Sequence, residues 1–305
     1  MRFRTPANVH LHRAQVILIL GALVPTILTT LLGIILLATG SSSVTLVTGI
    51  LVLAFCASSL IGYILGSIFL QRGALLARVQ SDFLSAVSHE LRTPMTSMRM
   101  FVEALQNDRL TDPEERAKCL KVLHREMGRL DDLVGRLIEL SRIESGSQPF
   151  EMVPTSLQDV VDSAVAAFDA INLHENGELE LDVTPDLHVT GNRAALTQVL
   201  VNLLSNAWKY TGDEKKITLE VTAASDREVE IAVHDNGPGI PTEEQKKIFE
   251  KFERGTAAIE AGTAGSGLGL AVVEAIVGAH RGRVELKSSP REGSCFRVFI
   301  PRTKT

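Results

Sequence analysis

The stretch that decides the fold of this chain is residues 81–98, SDFLSAVSHELRTPMTSM. Its apolar residues recur in alternating steps of three and four, and the pattern continues beyond it. This spacing places them at the a and d positions of a heptad, the seam of a coiled coil. The seam of the predicted long helix comprises Leu84, Val87, Leu91, Pro94, Met98, Phe101 and Leu105. With Leu84 at position a, His89 falls at f, the position that faces solvent most directly.

A second helix with the same spacing follows a short polar segment. Asp112 and Pro113 suit a helix N-cap and the first helical position. The second seam comprises Leu120, Leu123, Met127, Leu130, Val134 and Leu137. The two helices predict an antiparallel α-helical hairpin. Because one hairpin leaves its seams partly uncovered, whereas two hairpins can pack as a four-helix bundle, the pattern also predicts a homodimer.

The N-terminal part of the chain is strongly apolar. Residues 14–71 contain no Asp, Glu, Lys, Arg or His, whereas a helix of about 20 residues already crosses a bilayer core. Two transmembrane helices are therefore predicted, at 14–39 and 44–70, with a short extracytoplasmic loop at 40–43. The apolar run is too long for a cleaved signal peptide, which is the alternative. Basic residues at both ends predict a multi-pass protein of the cytoplasmic membrane with both termini in the cytoplasm: Arg2, Arg4, Arg13, Arg72 and Arg78.

Composition and cysteine content narrow the possible functions only slightly. The 305-residue chain has a net charge of -5, which gives no electrostatic reason to expect nucleic-acid binding. Cys56, Cys119 and Cys295 are odd in number and widely spaced, so neither a disulfide framework nor a metal cluster is indicated. Several histidines are expected to be ordinary solvated residues: His124, His174, His188, His234 and His280.

The C-terminal half is predicted to be an α+β domain with polar residues gathered at a cleft. A helix that begins near Asn192, a good N-cap residue, places polar side chains in register on one face. A strand ends at Asp235, and GSGLGL at 265–270 precedes a helix start, where backbone N–H groups can hold phosphate. These glycines are neither a P-loop nor a Rossmann fingerprint. The other predicted elements are a helix at 155–170 and strands at 178–183, 187–190, 284–288 and 296–300.

In order and spacing, these segments closely resemble the motifs of bacterial two-component sensor histidine kinases, from about residue 71 to residue 301. Residues 81–98 resemble the phosphoacceptor box. NLLSNAWKYT, DNGPGI, IFEKFERG and GSGLGL resemble the N, G1, F and G2 boxes. The resemblance implies a C-terminal α+β sandwich of the Bergerat type, the ATP-binding fold that these kinases share with type II topoisomerases, ninety-kilodalton heat-shock chaperones and MutL.

The resemblance assigns roles to the phosphoacceptor box. His89 would accept the phosphoryl group, and Glu90 would hold the imidazole tautomer and support its developing charge. Thr93, one turn further along, would orient a water molecule against a phosphorylated partner, as in kinases that are also phosphatases. The alternative for Thr93, which precedes Pro94, is a residue that bonds to the backbone at a helix bend.

The resemblance also implies ATP and Mg²⁺ as cofactors. Asn206 would ligate Mg²⁺ through its amide oxygen, and Asp235 would accept a hydrogen bond from the adenine amino group, which selects ATP over GTP. Arg254 would neutralise terminal phosphate charge, and residues 256–263 would form a mobile lid. The remaining implied contacts are Asn202 and Lys209 at the phosphates, Tyr210 at the base, and the loop residues Gly237, Gly239, Gly265, Gly267, Leu268 and Gly269.

The implied function is that of a membrane-bound sensor histidine kinase. It would autophosphorylate at His89 and pass the phosphoryl group to an aspartate of a separate response regulator, with phosphatase activity toward that regulator. One rival is an ATPase or chaperone of the same nucleotide fold; those relatives carry Glu at the position of Asn202, and an amide is a poor base. The other rival is a catalytically idle ATP-binding membrane scaffold.

The predicted multi-domain membrane protein is divided as follows: an N-terminal cytoplasmic tail at 1–13, transmembrane helices at 14–39 and 44–70, the loop at 40–43, a dimerisation and histidine phosphotransfer hairpin at 71–147, and a catalytic ATP-binding domain at 148–305. The loop is too short to fold as a sensor. We therefore expect a signal to enter within the membrane, through contacts with lipid or with another membrane protein.

Overall fold

The computed structural model describes residues 19–39, 42–107, 112–147, 149–171, 177–212, 214–260 and 265–303. The chain forms two compact units, Met1–Ala86 and Val87–Thr305. The predicted tail at 1–13, the first two residues of the predicted loop at 40–43, and His174 lie outside the described residues.

Two helices dominate the first unit. A π-helical turn, Ile19–Leu23, leads into α1 (Val24–Thr39), and α2 (Ser43–Gln106) begins in this unit. By length and composition, both helical stretches could cross a membrane. Helix α2 includes the whole of the predicted second span, 44–70, and begins one residue before it.

Small residues let α1 and α2 pack closely in an antiparallel arrangement. The hydroxyl oxygens of Thr26 and Ser59 lie 3.0 Å apart. Nearer the connection between the helices, a Cβ atom at Gly49 would lie 2.7 Å from Cγ of Leu37. A larger residue at position 49 would therefore push Leu37 aside. Close approach through small residues is typical of helix pairs in lipid, where van der Waals packing replaces the hydrophobic driving force.

The second unit contains the predicted hairpin from Val87 onward, formed by the end of α2 and by α3 (Pro113–Glu144). Helix α3 begins as the sequence predicts. The carboxylate of Asp112 accepts a hydrogen bond from the N–H of Glu114 at 3.1 Å, and Pro113 occupies the first helical position, where its missing N–H costs nothing. The N-cap prediction is confirmed.

Two contacts establish that the hairpin is antiparallel. Glu90 lies 3.9 Å from Arg129, and the Cys119 sulfur lies 3.8 Å from the carbonyl oxygen of Phe101. From the first contact to the second, the residue number rises by eleven along α2 and falls by ten along α3, so the two helices run in opposite directions. Within the single chain, seam residues of α3 remain substantially exposed, as expected of a seam that a second copy covers: Leu120, Met127 and Val134.

The rest of the second unit is a two-layer α/β sandwich. Its strands are β1 (Val153–Ser156), β2 (Glu178–Val183), β3 (His188–Gly191), β4 (Lys216–Ala223), β5 (Glu228–Asp235), β6 (Arg283–Ser288) and β7 (Ser294–Pro301). Its helices are α4 (Leu157–Ile171), α5 (Arg193–Tyr210), α6 (Thr256–Glu260) and α7 (Gly269–Ala279), with a 3-10 turn at Lys247–Phe249.

One sheet organises this sandwich. The strand order is β2-β4-β5-β7-β6, with β2 and β4 parallel and all other neighbours antiparallel; β1 and β3 form a separate antiparallel pair. Alternate residues of the central strands are buried because one face of the sheet carries α5 and α7, and α4 packs against α5. The buried residues include Ile217, Leu219, Val221, Val229, Ile231, Val233, Phe296, Val298 and Ile300.

The predicted α+β domain is confirmed, with shifted boundaries near its start. The helix predicted at 155–170 begins at Leu157, because Thr155 lies in β1. The Thr155 hydroxyl donates to the carbonyl oxygen of Gly191 at 2.8 Å, which ties β1 to β3. Pairing with a distant strand therefore overrides the local helical pattern. The strand predicted at 187–190 is likewise one residue later, at His188–Gly191.

The prediction that His280 is a solvated surface residue is wrong, since only 4% of it is exposed. Its Nδ1–H donates to the carbonyl oxygen of Ile276 at 2.7 Å, and its Nε2 accepts from the N–H of Asn192 at 3.0 Å. Asn192 in turn caps α5 as predicted, its side chain accepting from the N–H of Ala195 at 3.0 Å. A neutral imidazole satisfies both ring nitrogens, whereas a protonated one would face a second donor.

Protonation of His280 is therefore expected to destabilise the domain. Burial lowers the pKa of His280 below its ordinary value, so the unfolded chain binds the proton more tightly. The free energy of unfolding should be unaffected by this group above the unfolded pKa of about 6.5, and should decrease as the pH falls through that value. The sole tryptophan, Trp208, is buried in this domain and reports its urea unfolding.

The pH dependence of the unfolding free energy is compared between His280→Gln and His124→Gln. His124 is an exposed histidine of α3, so its replacement is the control. The decrease in unfolding free energy between pH 8 and pH 5 should shrink in the first variant only. An equal decrease in both would assign the pH dependence to other groups.

Candidate functional site

A cavity of about 850 Å³ opens in the second unit, between α3 of the hairpin and the C-terminal end of α5. Most of the site residues predicted from the sequence line it: Glu90, Asn202, Asn206, Lys209, Tyr210, Gly239, Arg254, Gly265, Gly267 and Gly269. His89, Thr93, Asp235, Gly237 and Leu268 are not part of the lining. One cavity therefore receives residues from the phosphoacceptor box and from every predicted nucleotide motif.

The polar face of α5 forms one wall of the cavity. The opposite face of this helix is core, with Leu200, Leu203 and Leu204 fully buried. Asn202 is also buried, with 6% exposed, and within the described parts of the chain its side-chain Nδ2 has no hydrogen-bond partner. A buried amide donor without an acceptor is costly, and an anionic ligand in the cavity would satisfy it.

The glycine-rich turns need glycine at two positions. Gly239 has φ +73°, and a Cβ there would lie 1.9 Å from the carbonyl oxygen of Ser289. Gly267 has φ +67°, and a Cβ there would lie 2.6 Å from the backbone of Phe252. Both conformations are strained for other residues. The side chain of Leu268 is fully buried in the core, so this residue can meet a ligand only through its backbone.

Asp235 stands at the end of β5, three residues before Pro238, which lines the cavity. Its Oδ1 accepts a hydrogen bond from the N–H of Gly237 at 2.9 Å. Burial raises the pKa of this carboxyl, and hydrogen bonds from the backbone of Gly237 and Ser294 lower it in part. A Cβ at Gly237 would lie 3.1 Å from the carbonyl oxygen of Tyr210, which brings this turn against the end of α5.

Positive charge is concentrated around Lys209, which lines the cavity with its ammonium 5.5 Å from the ring centroid of Tyr210. Although Lys209 is partly open to solvent, burial of its ammonium lowers its pKa, and the nearby charges of Arg254, Arg136 and Arg129 lower it further. Such a cluster of like charges suits a multiply charged anion. Burial raises the pKa of the Tyr210 hydroxyl, and the nearby charge of Arg254 lowers it in part.

The phosphoacceptor box borders the same cavity. The side chain of His89 is 77% exposed, and its Nδ1 lies 4.0 Å from Glu90, which is too far for a hydrogen bond. Glu90 also lies 3.9 Å from Arg129. The hydroxyl of Thr93 donates to the carbonyl oxygen of His89 at 3.4 Å. In this conformation Thr93 thus makes the backbone contact that its position before Pro94 suggests.

Sequence reasoning missed the anchor of the predicted lid. The Glu244 carboxylate accepts hydrogen bonds from the backbone N–H of Thr256, at 3.0 Å, and from its hydroxyl. These bonds lower the pKa of Glu244 and hold the start of α6. The rest of the predicted lid at 256–263, from residue 261 onward, lies outside the described residues. A lone glutamate twelve residues from its partner has no sequence signature.

Sequence reasoning also missed a set of polar contacts between the hairpin and the α/β sandwich. Their donor and acceptor atoms are each 2.7 Å apart. They join Arg136 to Asn202, Gln198 to Glu139, and Lys251 to Glu144. An available signal was a second apolar stripe on α3, distinct from its heptad seam: Leu133, Leu140 and Ile143, which pack against the core of the sandwich.

Two family models match the chain. Residues 79–146 match the His Kinase A (phospho-acceptor) domain. Residues 191–304 match the family described as Histidine kinase-, DNA gyrase B-, and HSP90-like ATPase. These matches cover the hairpin and most of the sandwich, including all of the motifs that line the cavity.

Individual proteins give the same result. The sensor-like histidine kinase SenX3 of Mycobacterium tuberculosis is 35% identical over 230 residues, which are 75% of this chain and 55% of SenX3. The structure of the Acinetobacter baumannii histidine kinase AdeS is 27% identical with a TM-score of 0.59, covering 71% of this chain and 98% of that one. The histidine kinase ThkA, solved in complex with response regulator protein TrrA, is 26% identical with a TM-score of 0.61, covering 74% and 63%. The chain spans about half the length of the curated relatives it matches.

Proposed function

Because the chain belongs to the two-component sensor histidine kinases, we propose that it transfers the terminal phosphoryl group of ATP to His89. The observation that carries this proposal is the shared cavity. Glu90, adjacent to the acceptor, lines it together with the N-box residues Asn206 and Lys209. Acceptor box and nucleotide motifs therefore meet in one unit of the fold.

The arrangement suits in-line phosphoryl transfer. A neutral imidazole nitrogen of His89 would attack the terminal phosphorus while the bond to the bridging oxygen breaks, and ADP would leave with the electron pair. Glu90 lies 4.0 Å from Nδ1. Once it closes to hydrogen-bond distance, it would hold that nitrogen protonated and leave Nε2 as the nucleophile. Lys209 and Arg254 would offset the charge that moves onto the phosphate oxygens.

Mg²⁺ is part of the proposal, through Asn206. Magnesium typically takes one or two protein oxygens and completes its shell with water and substrate phosphates. A single amide oxygen on the cavity wall is therefore a sufficient protein contribution. When bound, the ion would neutralise phosphate charge. Adenine would meet Asp235 and Tyr210, and the phosphates would meet Asn202, Lys209 and Arg254.

We further propose that the phosphoryl group passes from His89 to an aspartate of a separate response regulator. The complex of ThkA with a response regulator protein supports this for a relative of similar fold. Phosphatase activity through Thr93 is proposed with it. The long 3.4 Å contact of the Thr93 hydroxyl with the helix backbone is weak enough for a water molecule to replace it.

The membrane and dimer assignments complete the proposal. The two long apolar helices support a cytoplasmic-membrane protein with spans at 14–39 and 44–70 and both termini in the cytoplasm. The uncovered seam of α3 supports a homodimer. The gap between the end of α3 and β1 supports the division into a hairpin at 71–147 and an ATP-binding domain at 148–305. Membrane lipid or another membrane protein would supply the signal.

The test uses the full chain in lipid nanodiscs with Mg²⁺ and ATP labelled on its terminal phosphate. A phosphoramidate on histidine is lost in acid and stable in alkali, so we expect label with that behaviour. ATP labelled on its first phosphate is the matched control and should leave no label. Acid-stable label would contradict the proposal by placing the phosphoryl group on a hydroxyl. Bound ATP with no label would also contradict it and would favour an idle scaffold or an ATPase.

A further inference from the structure

Helix α3 of the hairpin carries an arginine into the nucleotide cavity. Arg136 is half-buried, and its Nη1 donates a hydrogen bond to Oδ1 of Asn202 at 2.7 Å. The same nitrogen would lie 3.7 Å from a Cβ at Gly269, the first residue of α7. The guanidinium therefore stands between the N-box amide and a helix N-terminus, which is where backbone N–H groups attract phosphate.

The contact fixes the orientation of the Asn202 amide. A guanidinium can only donate hydrogen bonds, so the amide oxygen must face Arg136 and the NH₂ group must point away from it. That NH₂ group is buried and has no acceptor among the described residues. Two donors, one cationic and one orphaned, thus meet beside the glycine-rich turn. An anion with several acceptor oxygens could bind to both the guanidinium and the NH₂ group.

The position of Arg136 is held by packing on either side of it. Leu133, one turn before, and Leu140, one turn after, are both buried against the core of the sandwich. Beside them, Gln198 donates to the Glu139 carboxylate at 2.7 Å. The backbone at Arg136 is therefore fixed, and only its side chain needs to turn to exchange one partner for another.

We propose that Arg136 is a polyphosphate-binding residue of the nucleotide site, supplied by the hairpin and not by the ATP-binding domain. On nucleotide binding its guanidinium would leave Asn202 Oδ1 and bind the oxygens of the second or third phosphate. The freed amide of Asn202 would then also reach phosphate. This inference rests on the proposed function, because it takes the cavity to be the ATP site.

The chemistry predicts which ligands depend on Arg136. A guanidinium forms charge-assisted, often bidentate bonds with phosphate and makes no comparable contact with a nucleoside. Binding of ATP and ADP should therefore weaken when Arg136 is replaced, whereas binding of adenosine should not. If Arg136 only held Asn202 in place, its replacement would leave all three affinities unchanged. It could also tighten nucleotide binding by removing a competitor for Asn202.

The experiment measures dissociation constants of ATP, ADP and adenosine by calorimetry with the full chain in nanodiscs. We expect Arg136→Gln to weaken ATP and ADP binding about tenfold, the low end for loss of a charged hydrogen bond, because the resting bond to Asn202 offsets part of the gain. Adenosine should change by less than about twofold. Arg136→Lys should recover part of the lost affinity, because lysine returns the positive charge but not the planar, bidentate arrangement of donors.

Arg142→Gln, which makes the same change at an exposed position six residues along α3, is the control and should leave all three constants unaltered. Unchanged or tighter ATP binding in Arg136→Gln, with wild-type binding intact, would overturn this inference and leave the proposed function standing. An equal loss for all three ligands would also overturn it, since that indicates a general disturbance of the cavity and not the loss of a phosphate contact. Failure of the wild-type chain to bind ATP would overturn the proposed function itself.

Discussion

His89→Gln is expected to abolish ATP-dependent labelling of the chain, by at least about a thousandfold, because glutamine keeps polarity and approximate size but has no nucleophilic nitrogen. The fold should not suffer, since the side chain is 77% exposed and substitutions at such positions rarely change stability by more than about 0.5 kcal/mol. ATP affinity should stay within about twofold of the wild-type value. Labelling and nucleotide binding are measured on the same preparation.

His124→Gln is the matched control, because it alters an exposed histidine on the other helix of the hairpin. Its labelling should equal that of the wild type. Persistent label in His89→Gln would place the acceptor elsewhere. Loss of label together with loss of ATP binding would show that the variant had damaged the nucleotide site and not the acceptor.

Asp235→Asn is expected to weaken ATP binding by about tenfold to a hundredfold, the range for losing a hydrogen bond to a charged group. The oxygen of the introduced amide could still accept from the Gly237 N–H, as the carboxylate does now at 2.9 Å. The NH₂ group of that amide would then face the adenine amino group, donor against donor. Discrimination between ATP and GTP should narrow for the same reason. Competition binding with both nucleotides measures the two effects.

Asp226→Asn removes the same charge at an exposed turn between β4 and β5 and should leave both affinities unchanged. The buried Trp208 reports whether each variant retains its fold. Equal affinity of Asp235→Asn and wild type for ATP, with the fold intact, would mean that the base binds elsewhere in the cavity.

Much of this molecule is predictable from local pattern. The alternating steps of three and four between Leu84 and Leu105 predict a helix seam, and the pair Asp112–Pro113 predicts where the second helix begins. Both are decided by neighbours in the chain. The polar register from Asn202 to Tyr210 is likewise a property of one helix, so it predicts that these side chains share a wall before any tertiary structure is known.

The misses have a common physical cause, which is contact between segments far apart in sequence. The local pattern predicts Thr155 to be helical, but its hydroxyl bonds to Gly191 in another strand. The local pattern predicts His280 to be a surface residue, but its ring accepts a hydrogen bond from Asn192, which is 88 residues away in the chain. Arg136 reads as one more charged residue on a helix surface. Its contact with Asn202 exists only because Leu133 and Leu140 dock the hairpin on the sandwich.

The most direct measurement locates the phosphoryl group in the full chain by mass spectrometry after incubation with Mg²⁺ and ATP, with all peptides kept at alkaline pH. We expect the group on the imidazole of His89. The spectra must distinguish His89 from three hydroxyl residues within about one helical turn of it: Ser85, Ser88 and Thr93. A phosphoryl group on any of these, or an unmodified chain that has hydrolysed ATP, would contradict phosphoryl transfer to His89.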